Sequence, residues 1–263
     1  MVLGPDEIRR YARHIVLKGV GGAGQQKLKA ASVLIVGAGG LGSPAIAYLA
    51  AAGVGRITVI DDDRVALANL QRQVIHRTED KGAAKAQSAK RFAEALNPEV
   101  MIEPIERRLT AENARALIAG HDLVLDGSDT FDTRLAVSDA CFLEATPLVT
   151  GAIALYDGTL TTILAHRLGK GGEPLPTFRC LYPERPDPGS LPVCEDVGVL
   201  GPVAGVIGSL MAMEAIKLIS GFGEPLVGRL LIYDGQDCRF SEMRYPWRAG
   251  NPLTGAARSP AGR

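Results

Sequence analysis

The chain has 263 residues, 46% hydrophobic and 22% charged, and its 29 Lys+Arg balance 29 Asp+Glu to a formal net charge of zero. Proteins that hold nucleic acid mainly through its phosphates carry a basic surplus, and disordered chains are less apolar and more one-sided in charge, so both classes are excluded. The N-terminal stretch MVLGPDEIRRYARH is charged within its first ten residues and lacks the apolar block of a secretory signal, which predicts a cytoplasmic protein.

Strand and helix signals alternate from residue 33 onward. Residues 33–36 (VLIV) form a β-branched run, followed by the glycine turn Gly37-Ala-Gly-Gly-Leu-Gly-Ser43 and a helical pattern over 44–52 that Gly53 stops. A second strand, 57–60, ends in Asp61-Asp62-Asp63, with Asp61 19 residues after Gly42. This is the spacing of a βαβ nucleotide unit. A helix is predicted over 82–96, a strand over 100–105, a helix over 111–119, a strand over 123–125 and a helix over 131–144. That alternation predicts a doubly wound, Rossmann-like, mostly parallel α/β sheet.

The pattern changes over 148–165, which reads as two or three antiparallel strands around the turn Tyr156-Asp-Gly158. Residues 167–192 hold six prolines and four glycines, which predicts a long mobile loop without regular structure. A buried helix over 202–219 and a closing hairpin, 230–233 with 238–243, follow, and the tail beyond Pro246 is expected to fray. The uncharged segment 197–213 falls short of the ~20 residues of a membrane span and is broken by Pro202, so no membrane contact is expected. With no repeat and no linker, a single domain over 1–263 is predicted: a helical arm (1–30), a nucleotide-binding part (31–145), a second part (146–245) and a tail (246–263).

The glycine turn suits a phosphate, because glycines let backbone approach the ligand and the following helix offers free N–H groups and the positive end of its dipole. Gly37, Gly39, Gly40 and Gly42 are the candidate cradle, and Asp61 the acceptor for ribose hydroxyls. Those parts suit an NAD-dependent dehydrogenase equally well. The residues beyond them speak for phosphate chemistry: Asn69-Leu-Gln-Arg-Gln73, Lys85 at the start of the next helix, and Asp129 just past the strand 123–125. In a doubly wound sheet such positions share one crevice. Two cations and a carboxylate there match a triphosphate and Mg²⁺, since Arg and Lys neutralise phosphate oxygens and a hard divalent cation prefers oxygen ligands.

Together with Gly198-Val-Leu-Gly-Pro-Val-Ala-Gly-Val-Ile-Gly-Ser209, these motifs resemble the MoeB/ThiF/HesA family, bacterial relatives of ubiquitin-activating enzymes, over residues 6–243 in the family's order. The resemblance implies ATP-dependent adenylylation of the C-terminal glycine of a small ubiquitin-like sulfur carrier, of MoaD type for molybdopterin or ThiS type for thiamine biosynthesis. It implies that Gly40 and Asp61 hold the nucleotide, that Asn69, Arg72, Gln73 and Lys85 bind and polarise the phosphates, and that Asp129 holds Mg²⁺. Arg13 matches an arginine that reaches across a homodimer to the partner's ATP. Cys194 matches a cysteine linked in some relatives to a covalent step with the carrier.

Departures from the family pattern carry expectations too. Many members hold zinc with two CxxC pairs; here the first survives as Thr177 and Cys180, and the second is missing from Asn251-Pro-Leu-Thr-Gly255, so no zinc is expected. The scattered histidines (His14, His76, His121, His166) supply no alternative ligand pairs. Thr130 stands where an Asn is common beside the metal aspartate, keeping a hydroxyl for the nucleotide. The 263 residues contain no rhodanese-like extension, which implies a separate sulfur donor. Cys141 and Cys238 are read as core. An NAD-dependent oxidoreductase and a non-catalytic carrier-binding scaffold remain as alternatives.

Overall fold

A computed structural model describes residues 2–183 and 198–254. The N-terminal arm forms α1 (Pro5–Arg10), α2 (Ala12–Ile15) and α3 (Gly21–Ala30). There follow β1 (Ser32–Val36), α4 (Gly42–Ala52), β2 (Arg56–Ile60), α5 (Lys85–Leu96), β3 (Met101–Ile105), α6 (Ala114–Ile118), β4 (Leu123–Asp126), α7 (Phe131–Leu143), β5 (Leu148–Ala154) and β6 (Asp157–Ile163). The described chain closes with α8 (Phe178–Leu181), α9 (Gly201–Ser220), β7 (Arg229–Asp234) and β8 (Arg239–Arg244).

The strands form one sheet in the order β3-β2-β1-β4-β5-β6-β7-β8. The first five run parallel, and β6, β7 and β8 extend the sheet antiparallel. Strand periodicity divides the core between two faces. Val33 and Ile35 of β1 join Ile46 and Leu49 of α4 and Ile207 and Met211 of α9 in one cluster. Leu34 and Val36 of the same strand join Ile118 of α6 and Val137 of α7 in the other. The chain leaves β1 toward β2 on one side and returns at β4 on the other, so a crevice opens at the C-terminal ends of β1 and β4.

The fold matches the doubly wound α/β expectation, with local differences that have physical causes. Residues 148–165 make two strands, joined through Leu155 and Tyr156. The helix expected from residue 82 begins at Lys85, because Gly82 takes a φ of +86° that no helix accommodates. α9 reaches 20 residues and is long and apolar enough by composition to cross a membrane, yet it packs against α4, β5 and β6 as a core helix.

The expected loop over 167–192 needs correction in its described part. Leu168 bridges Pro174, Thr177 caps α8, and Phe178 and Tyr182 stack with Phe131 of α7. Aromatic packing outweighs the breaker content of the surrounding sequence. The tail is likewise held through residue 254: Trp247 Nε1 donates to Thr254 Oγ1 at 2.9 Å, and Asn251 is buried. Cys141 is buried, but Cys238 is exposed with a φ of +49°, because it lies in the β7–β8 turn instead of on a strand. Residues 184–192 of the expected loop and Cys194 lie outside the described residues.

Candidate functional site

The glycine turn fills the mouth of the β1–β4 crevice. Gly37 takes a φ of +91°, open to glycine alone without strain, and a Cβ there would lie 3.2 Å from the Gly127 carbonyl. Gly42, opening α4, packs so tightly on the Gly37 carbonyl that no side chain fits. Gly39 and Gly40 are half-buried between these anchors. The first turn of α4 lies immediately beyond, so its N-terminal dipole faces the crevice.

Asp61 follows β2 and binds the turn directly. Its Oδ2 accepts from Ala38 N–H at 2.7 Å, and its Oδ1 from Asp63 N–H at 2.8 Å. Each oxygen keeps a lone pair for a ribose hydroxyl. Burial pushes the Asp61 carboxyl above the usual carboxylate range, while the Lys85 charge and the two N–H donors pull it back.

Arg72 and Gln73 approach from the run of turns after the 3₁₀ segment Leu67–Asn69. Arg72 Nη2 donates to Asn69 Oδ1 at 3.3 Å, and its Cγ and Cδ border the space above Gly40, as does Ala204 of α9. Gln73 is buried with its amide nitrogen beside Gly39, and its Oε1 has no partner among the described residues. The amide nitrogen beside Gly39 is a donor suited to a phosphate oxygen, and the buried Oε1 is an acceptor that a hydroxyl or water would satisfy. Lys85 Nζ lies 2.8 Å from Asp63 Oδ2, with its side chain only 5% exposed against 67% for Asp63. Lys85 is therefore no exposed helix charge: its buried ammonium sits against Asp63 and acts on Asp61.

On the β4 side, Asp126 is fully buried and organises the loop that carries Asp129. Its Oδ1 accepts from Ser128 N–H and Oγ–H at 3.0 and 2.6 Å, and its Oδ2 from Thr150 Oγ–H at 3.2 Å. Arg134 clamps the Ser128 carbonyl at 2.8 and 3.1 Å. Burial raises the Asp126 carboxyl, opposed by Arg134 and these donors. Asp129 itself is exposed and has no ion pair or hydrogen bond among the described residues, which leaves a free carboxylate for a hard cation. Thr130, next to Asp129, also has a structural task. Its hydroxyl caps α7 by accepting from Thr133 N–H at 3.3 Å.

Arg13 is not part of this assembly. Tyr11 packs on Gly53, the C-cap of α4, and Gln25 joins His14 to the Ala52 carbonyl, which seats α2 at the end of α4 remote from the glycine turn. Eleven helical residues separate those ends, about 16 Å at ~1.5 Å per residue. Arg13 is exposed there and cannot serve the crevice of its own chain.

The zinc positions come together without a zinc ligand set. Asn251 Nδ2 donates to Thr177 Oγ1 at 2.6 Å and to Cys180 Sγ at 3.0 Å, while its Oδ1 accepts from Leu253 N–H at 2.9 Å. One thiol, two hydroxyls and an amide that presents its protons do not fit a tetrahedral thiolate site. Hydrogen bonds make the clasp instead.

Two residues central to this geometry escaped the sequence reading. His76, weighed only as a metal ligand, touches the glycine turn; Asp126, passed over for Asp129, holds that residue's loop. Their signal was adjacency, three residues from Gln73 and from Asp129, but nothing in a single sequence distinguishes such neighbours from ordinary core polar groups.

The ThiF family model matches residues 11–252. A sulfur carrier protein adenylyltransferase of Thermus thermophilus is 48% identical over 238 residues, 90% of this chain and 87% of that protein. A SAMP-activating enzyme E1 of Haloferax volcanii is 46% identical over 253 residues, 96% of this chain and 91% of that protein. Among solved structures, E. coli MccB with MccA-N7isoASN superposes with a TM-score of 0.81 at 22% identity, covering 94% of this chain and 74% of that one, a likeness of fold. The dehydrogenase and scaffold alternatives are thereby set aside: the chain belongs to the ThiF family and is an adenylyltransferase.

Proposed function

We propose that the protein uses ATP to adenylylate the C-terminal glycine carboxylate of a small ubiquitin-like sulfur carrier, of MoaD or ThiS type, in molybdopterin or thiamine biosynthesis. The observation that carries this reading is a glycine turn with Arg72 beside Gly40 and the Gln73 amide nitrogen beside Gly39, next to Asp61 as ribose acceptor and the buried Lys85 ammonium that acts on it. The names of the Thermus and Haloferax relatives support the carrier as substrate.

In this mechanism Asp61 anchors the ribose, the glycine turn and the α4 N-terminus hold phosphate oxygens, and Arg72 and Lys85 take up charge as it develops on the leaving pyrophosphate. A carboxylate oxygen of the carrier attacks the α-phosphorus, and the bond to the bridging oxygen breaks. The acyl adenylate and pyrophosphate result. No side chain has to remove a proton, because a C-terminal carboxyl is ionised at neutral pH, so catalysis is alignment and charge neutralisation. Asp129 is the residue to hold Mg²⁺, which supplies charge neutralisation to the phosphates. Arg13, remote from its own crevice, acts in a homodimer on the partner's nucleotide, and a separate sulfur donor completes the thiocarboxylate.

The test is carrier-dependent exchange of labelled pyrophosphate into ATP, with purified MoaD-type and ThiS-type carriers in parallel. Exchange with one carrier assigns the pathway. No exchange with either, in protein that remains folded, refutes the proposal.

A further inference from the structure

Ala38, the second residue of the glycine turn, is gripped from both sides. Its N–H donates to Asp61, and its carbonyl lies 2.9 Å from His76 Nε2. Asp61 has its role with the ribose. His76 is buried and no step above uses it.

A carbonyl oxygen offers no proton, so Nε2 must carry one and donate. The other ring nitrogen, Nδ1, lies 2.8 Å from Ser88 Oγ, and that hydroxyl also lies 2.8 Å from Asp80 Oδ2. Ser88 has one proton to give. If it goes to Nδ1 the ring is neutral; if it goes to Asp80, Nδ1 needs a second ring proton and the ring is an imidazolium. Asp80 is supplied independently by the Arg91 guanidinium and by Arg77 N–H at 3.0 Å, so it can release the serine. The charged groups facing the ring are Asp80 from the 3₁₀ turn Thr78–Asp80 and Lys85 and Arg91 from α5. Burial depresses the basicity of the ring, the Ala38 carbonyl opposes this, Lys85 and Arg91 depress it further, and Asp80 raises it. The neutral ring leaves the Ser88–Asp80 contact without a proton and the imidazolium fills every contact, but in both forms Nε2 keeps its proton and donates to Ala38.

His76 also belongs to the run of turns that carries the phosphate side chains. Its N–H donates to the Gln73 carbonyl at 3.1 Å, and Gln73 and Arg72 N–H groups donate to Asn69 at 3.0 and 3.1 Å. One ring thus ties that run to the glycine turn across the crevice floor.

We infer that His76 is a positioning residue for nucleotide binding: its Nε2–H fixes the Ala38 carbonyl, so that the glycine turn keeps the shape that receives phosphate, and Ser88 holds the other ring nitrogen in place. The inference rests on the nucleotide reading of the crevice. A purely packing role for His76 would need bulk alone; this role needs a donor at one place.

Calorimetric titration with ATP separates the two, using wild type, His76→Phe and His76→Gln with melting temperatures measured alongside. His76→Phe keeps the bulk and removes the donor, and it is expected to weaken ATP binding about tenfold, the size of one lost hydrogen bond, with kcat at saturating ATP nearly unchanged. His76→Gln offers an amide donor and is expected to recover binding to within about threefold of wild type. Nitrogen-15 spectra of the wild type at neutral pH should show a proton on Nε2, a readout that needs no variant to fold. His76→Phe binding ATP as tightly as wild type, His76→Gln binding no better than His76→Phe, or a proton on Nδ1 with Nε2 bare would each overturn the inference. Wild-type protein that binds no ATP would instead overturn the nucleotide reading beneath it.

Discussion

Replacing Lys85 with methionine separates folding from catalysis, because the structure assigns the two parts of this side chain different work. The aliphatic stem is buried and methionine keeps most of that packing. The ammonium pairs with Asp63, but Asp63 is 67% exposed, and a pair so open to water contributes only ~0–1 kcal/mol. Stability should therefore change by no more than about 1 kcal/mol. The same ammonium on a phosphate in a closed site contributes ~3 kcal/mol to the transition state, about a hundredfold in rate. A second signature comes from Asp61, whose carboxyl burial raises and Lys85 restrains. Without Lys85 it binds a proton at higher pH, and since only the ionised form accepts hydrogen bonds with both oxygens, the acid limb of the pH–rate profile moves to higher pH. Pyrophosphate exchange across a pH series, with thermal melts of the same samples, measures all three. A rate within about threefold of wild type, or a loss that tracks unfolding, would refute the reasoning.

Asn251→Ala removes both donors to Thr177 and Cys180 from a buried clasp and should destabilise the protein by about 3 kcal/mol in urea unfolding while exposing Cys180 to thiol reagents. The triple change Thr177→Cys, Asn251→Cys, Thr254→Cys should convert the clasp into a thiolate site that takes up one zinc per chain, read by elemental analysis. Tyr245 is buried against Thr161, and burial pushes its phenol up to about 12. Its folded value exceeds the unfolded value of about 10, so the stability it contributes is full below pH ~10 and is lost as pH rises through about 12; Tyr245→Phe should flatten that alkaline limb in melts against pH. Mixing Arg13→Ala with Asp129→Ala subunits should restore exchange activity that neither has alone, since one crevice of each mixed dimer keeps both residues; verified heterodimers without recovery would exclude action in trans.

Most of the nucleotide crevice was legible as spacing. A strand of β-branched residues, a turn of glycines and an acid 19 residues later are local chemistry, and the alternation of strands and helices fixes where such turns must gather. Lys85, Arg72 and Gln73 were also nameable, but their burial was not: periodicity placed Lys85 at a helix start, and only the packing of α5 beside β2 draws its ammonium to Asp63. Thr130 shows the converse. Its hydroxyl is expected at the nucleotide from sequence position, and the structure adds a second task that only the helix beginning beside it reveals, accepting from Thr133 N–H as the cap of α7.

Composition, the glycine turn and the order of motifs by themselves determined the doubly wound sheet, its switch point and the class of chemistry, because each depends on residues close in the chain. The tertiary structure decided what depends on distant partners. The Pro- and Gly-rich segment is partly ordered because Phe178 and Tyr182 find Phe131 some fifty residues earlier, and the tail is pinned because Asn251 finds Thr177 and Cys180. His76 gains its place only when the crevice closes around Ala38. Arg13 lies at the wrong end of α4 for its own chain, because the far end of a helix is set by how neighbouring helices seat against it and not by any motif.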